Sequence, residues 1–529
     1  MSRPGVVDRM KRIGLALLAA IAALPAFAQT PTVAPAELDA IVDDVVARYR
    51  LPGLAIGVVE HGQVVYRRSL GERVAGGGEP VTPQTLFKIA SNSKSMTTAL
   101  LARLVDAGKL RWDDPVVKHL PQFRMHDDWV TRQMQVRDLL IHNSGLRAGA
   151  GDLMLWPEPN SYTRADVIHG LRYLKPVHSF RSRYDYDNLM YIVAGEVAAA
   201  AGGAPYETLL RREVFEPLGL ARCQIGEWSR DRVGNVAQPH RREDGRNVPV
   251  REDGAMIANT TMAAAGGVRC SLDDMLTWVG TWLQPDGSVA SWLSPEQRRA
   301  LWSPQMPMPV SQRQRDWDGS RFSAYGYGWR LADVDGEFKV SHTGTLMGMY
   351  SVVTMLPERE VGFVVLINGE ADEARTVLNQ VLVKRYTAPE PRRDVAYYAQ
   401  ALQRERAGTP PAQRAPDTSA RAPARAEDLR AWLGRYRDPW FGDVSLCDRA
   451  GQVRFVAQKS PLLSGTVQRV GERWLVDWDD ASVDAEAWLE FAARPAPGGA
   501  GLRMAKVDPE ADFSYDFEDL AFARTAACD

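Results

Sequence analysis

The chain predicts an α+β domain followed by a small all-β domain. Three observations carry that expectation. Strand-like runs stand at both ends of the first 390 residues with a helical body between them, an order that builds one sheet from distant parts of the chain. Composition then breaks at "RERAGTPPAQRAPDTSARAPARAEDL", where Pro, Ala and charge replace apolar periodicity. Beyond that break come short alternating runs, "DVSLCDR", "QVRFVAQ", "ERWLVDW" and "AWLEFAAR", separated by turn residues, a spacing that suggests a small barrel or sandwich.

Taken in order, residues 1–28 have the parts of a secretory leader: Lys11 and Arg12, the apolar run "IGLALLAAIAALPAFA", and a small-residue cleavage pattern at Ala26-Phe27-Ala28. The run is shorter than the roughly 20 residues of a spanning helix and Pro25 interrupts it, so no stable membrane anchor is expected and the mature chain is placed outside the cytoplasm, periplasmic or secreted. Residues 29–390 form the expected α+β domain. In it, "AELDAIVDDVVARY" reads as a helix and "GLAIGVVEHGQVVYRRSLG" as a hairpin turning at His61-Gly62. A helix is predicted from Ser91 to Leu110, with Met96, Leu100, Leu101, Leu104 and Val105 at helical spacing and Gly108 near its end. Strands return in "YGYGWRLADV", "FKVSHTGTLMGMYSVVTMLP" and "EVGFVVLINGE", and "ARTVLNQVLVKRY" closes as a helix. Residues 391–426 read as a further helix and a Pro/Ala-rich linker, and 427–529 as the barrel-like domain.

With 45% hydrophobic residues in 529 the chain can bury large cores. A formal net charge of −2, with no basic block, argues against nucleic acid as a partner. Four cysteines in an exported chain invite pairing: Cys223 with Cys270, and Cys447 with Cys528, stand either as disulfides or as buried thiols. Cys447 is expected on the first strand of the last domain and Cys528 just after its last strand.

The chemistry begins at "LFKIASNSKSMTTALLARLVDAGKL". Ser91 and Lys94 stand at positions i and i+3 of the predicted helix and share a face, so the amine can reach the hydroxyl. A lysine in a dry site loses proton affinity and can serve as a base, making Ser91 a nucleophile toward a carbonyl carbon. "RYDYDNLMYIVAGEV" adds Tyr186, able to shuttle a proton to a leaving group, and Asn188, able to present its amide to substrate and to Lys94. "VSHTGTLMGMY" adds His342, Thr343, Gly344 and Thr345: Thr343 to bind a carboxylate, Gly344 to let substrate approach the backbone, and the amides of Ser91 and Thr345 to form an oxyanion hole. Other candidates have plainer readings. "MHDDW" reads as a solvated loop rather than a metal site, His142 as a loop-ordering residue, and the aromatics of "YGYGW" as core.

Together and in this order the three elements resemble the serine β-lactamase and penicillin-binding protein superfamily, in particular its class C β-lactamase-like branch of esterases and D-amino-acid peptidases. "LRWDDPVVKHLPQF", "VRDLLIHNSGL", "AAAGGVRCSLDDM" and "YGYGW" sit where that family has similar segments, and the resemblance spans about residues 36 to 386. It implies a class C β-lactamase-like fold, Ser91 as acylated nucleophile, Lys94 and Tyr186 as catalytic partners, and substrate binding by Asn188, His342, Thr343, Gly344 and Thr345. It implies no metal or cofactor, and a small-molecule or short-peptide substrate. Alternatives are a β-lactamase, a D-alanyl-D-alanine carboxypeptidase, or a silent protein that only binds cell-wall peptides. The last domain, with "YRDPWFGDVSL" and "DFSYDFEDL", resembles a β domain often appended to such hydrolases. His342 departs from the family, whose lactamases and transpeptidases usually have lysine there; a mostly neutral histidine is expected to weaken carboxylate binding and to set substrate class. The sequence leaves oligomeric state open.

Overall fold

The computed structural model describes residues 32–528 apart from 285–289, 389, 392, 409, 411–413 and 493–500. The predicted leader and part of the Pro/Ala linker lie outside the described residues.

An eight-stranded antiparallel sheet organises the first part of the chain. Its order across the sheet is Gln63–Gly71, Gly53–Glu60, Val361–Ile367, Met349–Leu356, Glu337–Leu346, Arg330–Val334, Ser323–Tyr325 and Met306–Pro307. The first hairpin turns through His61 and Gly62, both at positive φ, the geometry that matches the twist of a two-residue hairpin. It joins the late strands by pairing Leu54 with Ile367 and Val58 with Phe363, so the sheet does take strands from both ends of this region.

Gly53–Glu60 is buried along its whole length because both faces of the sheet are covered. Leu54, Ile56 and Val58 face helices Pro35–Tyr49 and Asp372–Thr387. Ala55 and Val59 face the helical body, and Gly57 faces it too. Small residues here serve close packing: a Cβ at Gly57 would stand 2.6 Å from Leu276 Cδ1, and one at Gly362 would stand 2.4 Å from Val279 Cγ1, both on helix Leu272–Leu283.

The helix expected from Ser91 divides in two. A 3₁₀ turn, Ala90–Asn92, carries Ser91, and the α-helix runs Ser93–Asp106. Met96, Leu100, Leu101 and Leu104 are buried as the spacing required, but Ser93, Ser95, Thr97 and Thr98 are buried as well, because the body surrounds this helix on every side. Their hydroxyls return to nearby carbonyls, Ser95 to Asn92 and Thr98 to Ser95, which satisfies them without a partner element.

After helix Val395–Ala407 the chain enters a closed eight-stranded barrel: Gly434–Asp438, Gly442–Arg449, Gln452–Ala457, Ser464–Val470, Arg473–Trp478, Ala487–Phe491, Leu502–Lys506 and Ala521–Ala526, the last returning to pair with the first. Inward residues alternate along each strand and include Tyr436, Leu446, Phe455, Val467 and Phe522. Both cysteine pairs are disulfides. Cys447 falls on the second barrel strand rather than the first, and Cys270 lies on a strand whose partner, Phe87–Lys88, leads into the Ser91 turn.

The barrel is packed against the helical body and shares one continuous apolar core with it. Tyr162 donates to the Phe441 carbonyl at 2.6 Å, Lys459 pairs with Asp166 at 2.7 Å, and Arg147 pairs with Asp519 at 3.3 Å. Among the described residues no helix is long and apolar enough to cross a membrane.

Candidate active site

A pocket of about 280 Å³ opens where the Ser91 turn, the edge of strand Glu337–Leu346 and the barrel meet. Ser91 is presented by a strained turn: Ala90 before it has φ +49°. The turn is held from below. Ser93 Oγ donates to the Ala90 carbonyl at 2.6 Å and accepts from Val268 N–H at 3.1 Å; Ser351 Oγ donates to the Ile89 carbonyl and accepts from Asn92 Nδ2, both at 2.8 Å.

Lys94 is fully buried. Its Nζ is 2.7 Å from Asn188 Oδ1, 2.9 Å from the Ala265 carbonyl and 3.2 Å from Ser91 Oγ. Burial drives its pKa down to about 7, opposed by Asp152 and Asp187 and assisted by Arg330. A neutral amine has two protons. The two nearer acceptors take them, which leaves the lone pair for the Ser91 hydroxyl.

Tyr186 shares a hydrogen bond with Ser91, and its own pKa is raised by burial. The Lys94 Nζ stands 4.9 Å from its ring centroid. His142 stacks on the other side at 4.2 Å and accepts from Asp187 N–H through Nδ1 at 3.0 Å, so it holds the turn that carries Tyr186. Burial keeps that imidazole neutral by pushing its pKa down.

The third element is put to mixed use. Thr343 and Thr345 line the pocket. His342 does not: it is 1% exposed, its Nδ1 donates to the Thr343 carbonyl and its Nε2 accepts from Tyr325 O–H, each at 2.7 Å. Burial, with the charges of Arg330 and Lys94, depresses its pKa well below the usual histidine range, so it is not a cation waiting for a carboxylate. Gly344 is buried against the nucleophile turn rather than open to substrate. A Cβ there would meet the Ile89 carbonyl at 2.1 Å, so glycine lets the strand and the Ser91 turn approach each other. Arg375 fixes this corner by donating to the Gly344 carbonyl at 2.9 Å and to Thr345 Oγ1 at 2.8 Å.

Three contributors lie outside the motifs. Arg330, directly after "YGYGW", reaches the pocket beside Tyr184 and Tyr186, and no carboxylate among the described residues pairs with it. Asp152 accepts from Asn188 Nδ2 at 2.7 Å. The barrel supplies a whole wall: Asp484, Asp512, Phe513, Ser514 and Tyr515. A cation after an aromatic run could have flagged Arg330; nothing local marks the others. Asp127 of "MHDDW" caps helix Asp128–Gln133, accepting from Trp129 and Val130 N–H.

Comparison with known proteins agrees with this geometry. The Beta-lactamase family model matches residues 38–387. The unguisins hydrolase ungD' of Aspergillus campestris is 25% identical over 381 residues, 69% of this chain and 68% of its own. The esterase EstB of Burkholderia gladioli is 30% identical over 237 residues, 41% and 59% of the two chains. The D-alanyl-D-alanine-carboxypeptidase/endopeptidase AmpH of Escherichia coli is 25% identical over 332 residues, 60% and 79%. Among solved structures, the octameric penicillin-binding protein homologue from Pyrococcus abyssi superposes with a TM-score of 0.58 at 21% identity, covering 86% of this chain and 96% of that one. The chain belongs to the β-lactamase family and is a serine hydrolase of the β-lactamase-like superfamily.

Proposed function

We propose that the protein hydrolyses its substrate through an acyl-enzyme on Ser91. The observation that carries this reading is the hydrogen bonding of Lys94, whose two protons are taken by Asn188 and Ala265 so that its lone pair faces Ser91. Neutral Lys94 accepts the Ser91 proton as Oγ bonds to the substrate carbonyl carbon. Charge developing on the carbonyl oxygen is received by the amides of Ser91 and Thr345. Tyr186 passes the proton to the departing nitrogen or oxygen, and the C–N or C–O bond breaks. Water, giving up a proton by the reverse route, then releases the acid and restores Ser91. A silent binding protein has no use for a lysine held in this state.

Arg330 supports a substrate class. An unpaired guanidinium facing the pocket beside Thr343 favours an anionic group next to the scissile bond. Short peptides ending in a D-amino acid with a free carboxylate fit that demand, as do anionic carboxylic esters, and the AmpH relative is named for such a peptide activity. The chain is read as exported, with cleavage near Ala28; its two disulfides support that reading, since such bonds persist in oxidising compartments.

Peptide mapping after treatment with a fluorophosphonate probe tests the nucleophile, and an adduct on Ser93 in place of Ser91 would overturn it. Turnover of D-alanyl anilides, nitrophenyl esters with and without a carboxylate, and nitrocefin tests the class. Faster hydrolysis of neutral than of matched anionic esters would sink it. N-terminal sequencing of the exported protein, expected to begin at Gln29, checks the leader.

A further inference from the structure

Asn188 stands between two groups that decide how its amide must point. Asp152, fully buried, offers only acceptor oxygens when ionised, so the amide turns its NH₂ toward Asp152 and its oxygen toward Lys94. Asp152 is itself held from the barrel: Ser514 Oγ donates to the same Oδ2 at 2.8 Å. Two residues on, Asp516 receives the amides of Gly151 and Leu153, the residues on either side of Asp152. The loop that makes these contacts is ordered internally by Asp512, which accepts from Ser514 N–H at 2.8 Å.

We propose that Ser514 is a positioning residue for the lysine base: acting from the barrel through Asp152 and Asn188, it fixes the amide that holds Lys94 and so makes the reactivity of Ser91 depend on the docked barrel. The proposal rests on the reading of Ser91 and Lys94 given above.

The charges that bear on this chain are few and all buried. Asp152 faces Lys94, Asp187 and Asp516; Lys94 faces Asp152, Asp187 and Arg330, with His142 and His342 both kept neutral by burial. Tyr186, against Lys94, stays protonated because burial raises its pKa. Burial pushes Asp152 toward its neutral acid, and the bonds from Asn188 and Ser514 oppose that push. Loss of the Ser514 hydroxyl therefore favours neutral Asp152. Lys94 then loses counter-charge and gives up its proton at lower pH, while the amide, no longer forced, holds it less well. The acidic limb of Ser91 reactivity should move to lower pH and the plateau should fall.

The test is the rate at which a fluorophosphonate probe labels Ser91 in the full-length chain, followed from about pH 5 to about pH 9. Ser514→Thr and Ser514→Val have nearly the same volume and differ in the hydroxyl, so packing cancels between them. The threonine variant should keep the parent profile. In the valine variant the rate at pH 6, relative to its own plateau, should rise about threefold. Asp152→Asn should move the limb further in the same direction, and adding Ser514→Val to it should change nothing more. An unmoved limb in Ser514→Val, or a shift that persists in the Asp152→Asn background, overturns the positioning role. Labelling that survives Ser91→Ala would instead defeat the nucleophile assignment, so the two failures are distinct.

Discussion

Two walls face Ser91, and they are built on different logic. One wall comes from the nucleophile turn, the Tyr186 turn and strand Glu337–Leu346, and its groups touch the reacting atoms. The other comes from the barrel, and with Phe513 and Ser514 it touches the first wall's supports: Phe513 meets Tyr186 edge-on at 5.7 Å and Ser514 holds Asp152. Reaction chemistry demands particular residue types at fixed spacing, so the first wall leaves motifs. Support demands only fit and a hydrogen bond, which many sequences supply, so the second wall leaves none. Removing a group from the first wall should cost orders of magnitude; removing one from the second should cost small factors or shift a pH profile.

The largest effect sharpens that contrast. Ser91→Ala should lower kcat/KM by about a thousandfold or more while leaving the circular dichroism spectrum and Tm near the parent's, since Ser91 is only partly buried. Next come Lys94→Ala and Tyr186→Phe, each expected to cost about a hundredfold or more, with the double variant losing less than the product because the two move one proton. Multiplicative losses would show independent roles. In the parent, kcat/KM should rise with pH through about 7, where Lys94 becomes neutral and available as base, and fall away below it. A profile flat across that range would remove lysine from the base role.

A chain truncated after Pro416 sits between the two walls in size. A domain merely tethered could be removed without consequence, but this one buries Tyr162 against Phe441 and caps the turn that carries Asp152. Truncation should lower Tm and slow Ser91 labelling by about tenfold or more in whatever fraction stays folded. Labelling at the parent rate would return the barrel to the status of an appendage.

The same contrast explains what the sequence made legible. Ser91 and Lys94 could be paired from it because i and i+3 meet on any helical turn, and the sheet could be assembled because its strands alternate or run apolar. The roles of His342 and Gly344 could not be read from their names. Whether a histidine faces substrate depends on the far side of its strand, where Tyr325 takes its Nε2, and the space at Gly344 is filled by Ile89 from another segment. Arg330 was hidden inside an aromatic run that otherwise reads correctly as core, with Tyr325, Tyr327 and Trp329 all buried.

His342→Lys makes that point measurable. A lysine here would be buried with Arg330 and Lys94 as neighbours, so it should cost on the order of 2–4 kcal/mol of stability and leave the preference for carboxylate-bearing over neutral substrates unchanged. Arg330→Gln should do the reverse, reducing that preference about tenfold with little change in Tm, because the guanidinium has no ion-pair partner among the described residues to lose. If the lysine variant gains selectivity, substrate does reach that position and the pocket described here is too narrow.

The smallest effect belongs to Phe513, and it is the finest test of the second wall. Its ring is 40% exposed, stands edge-on to Tyr186, and overlies Gly149, where a Cβ would meet the Phe513 carbonyl at 2.4 Å. It reaches no hydrogen-bonding atom of the first wall, so its loss should leave the acidic limb of the pH profile in place. What it should change is room. Edge-to-face aromatic contacts contribute about 0.5–1.5 kcal/mol, so Phe513→Ala should cost roughly two- to tenfold in kcat/KM toward small substrates that need an ordered Tyr186. Bulky acyl groups, which the ring crowds, should lose less or gain. Paired measurements with acetyl and benzoyl nitrophenyl esters read this as a ratio. An equal loss for both would mean that Phe513 acts only through Tyr186, and a shift of the limb would mean that it shares the path assigned to Ser514.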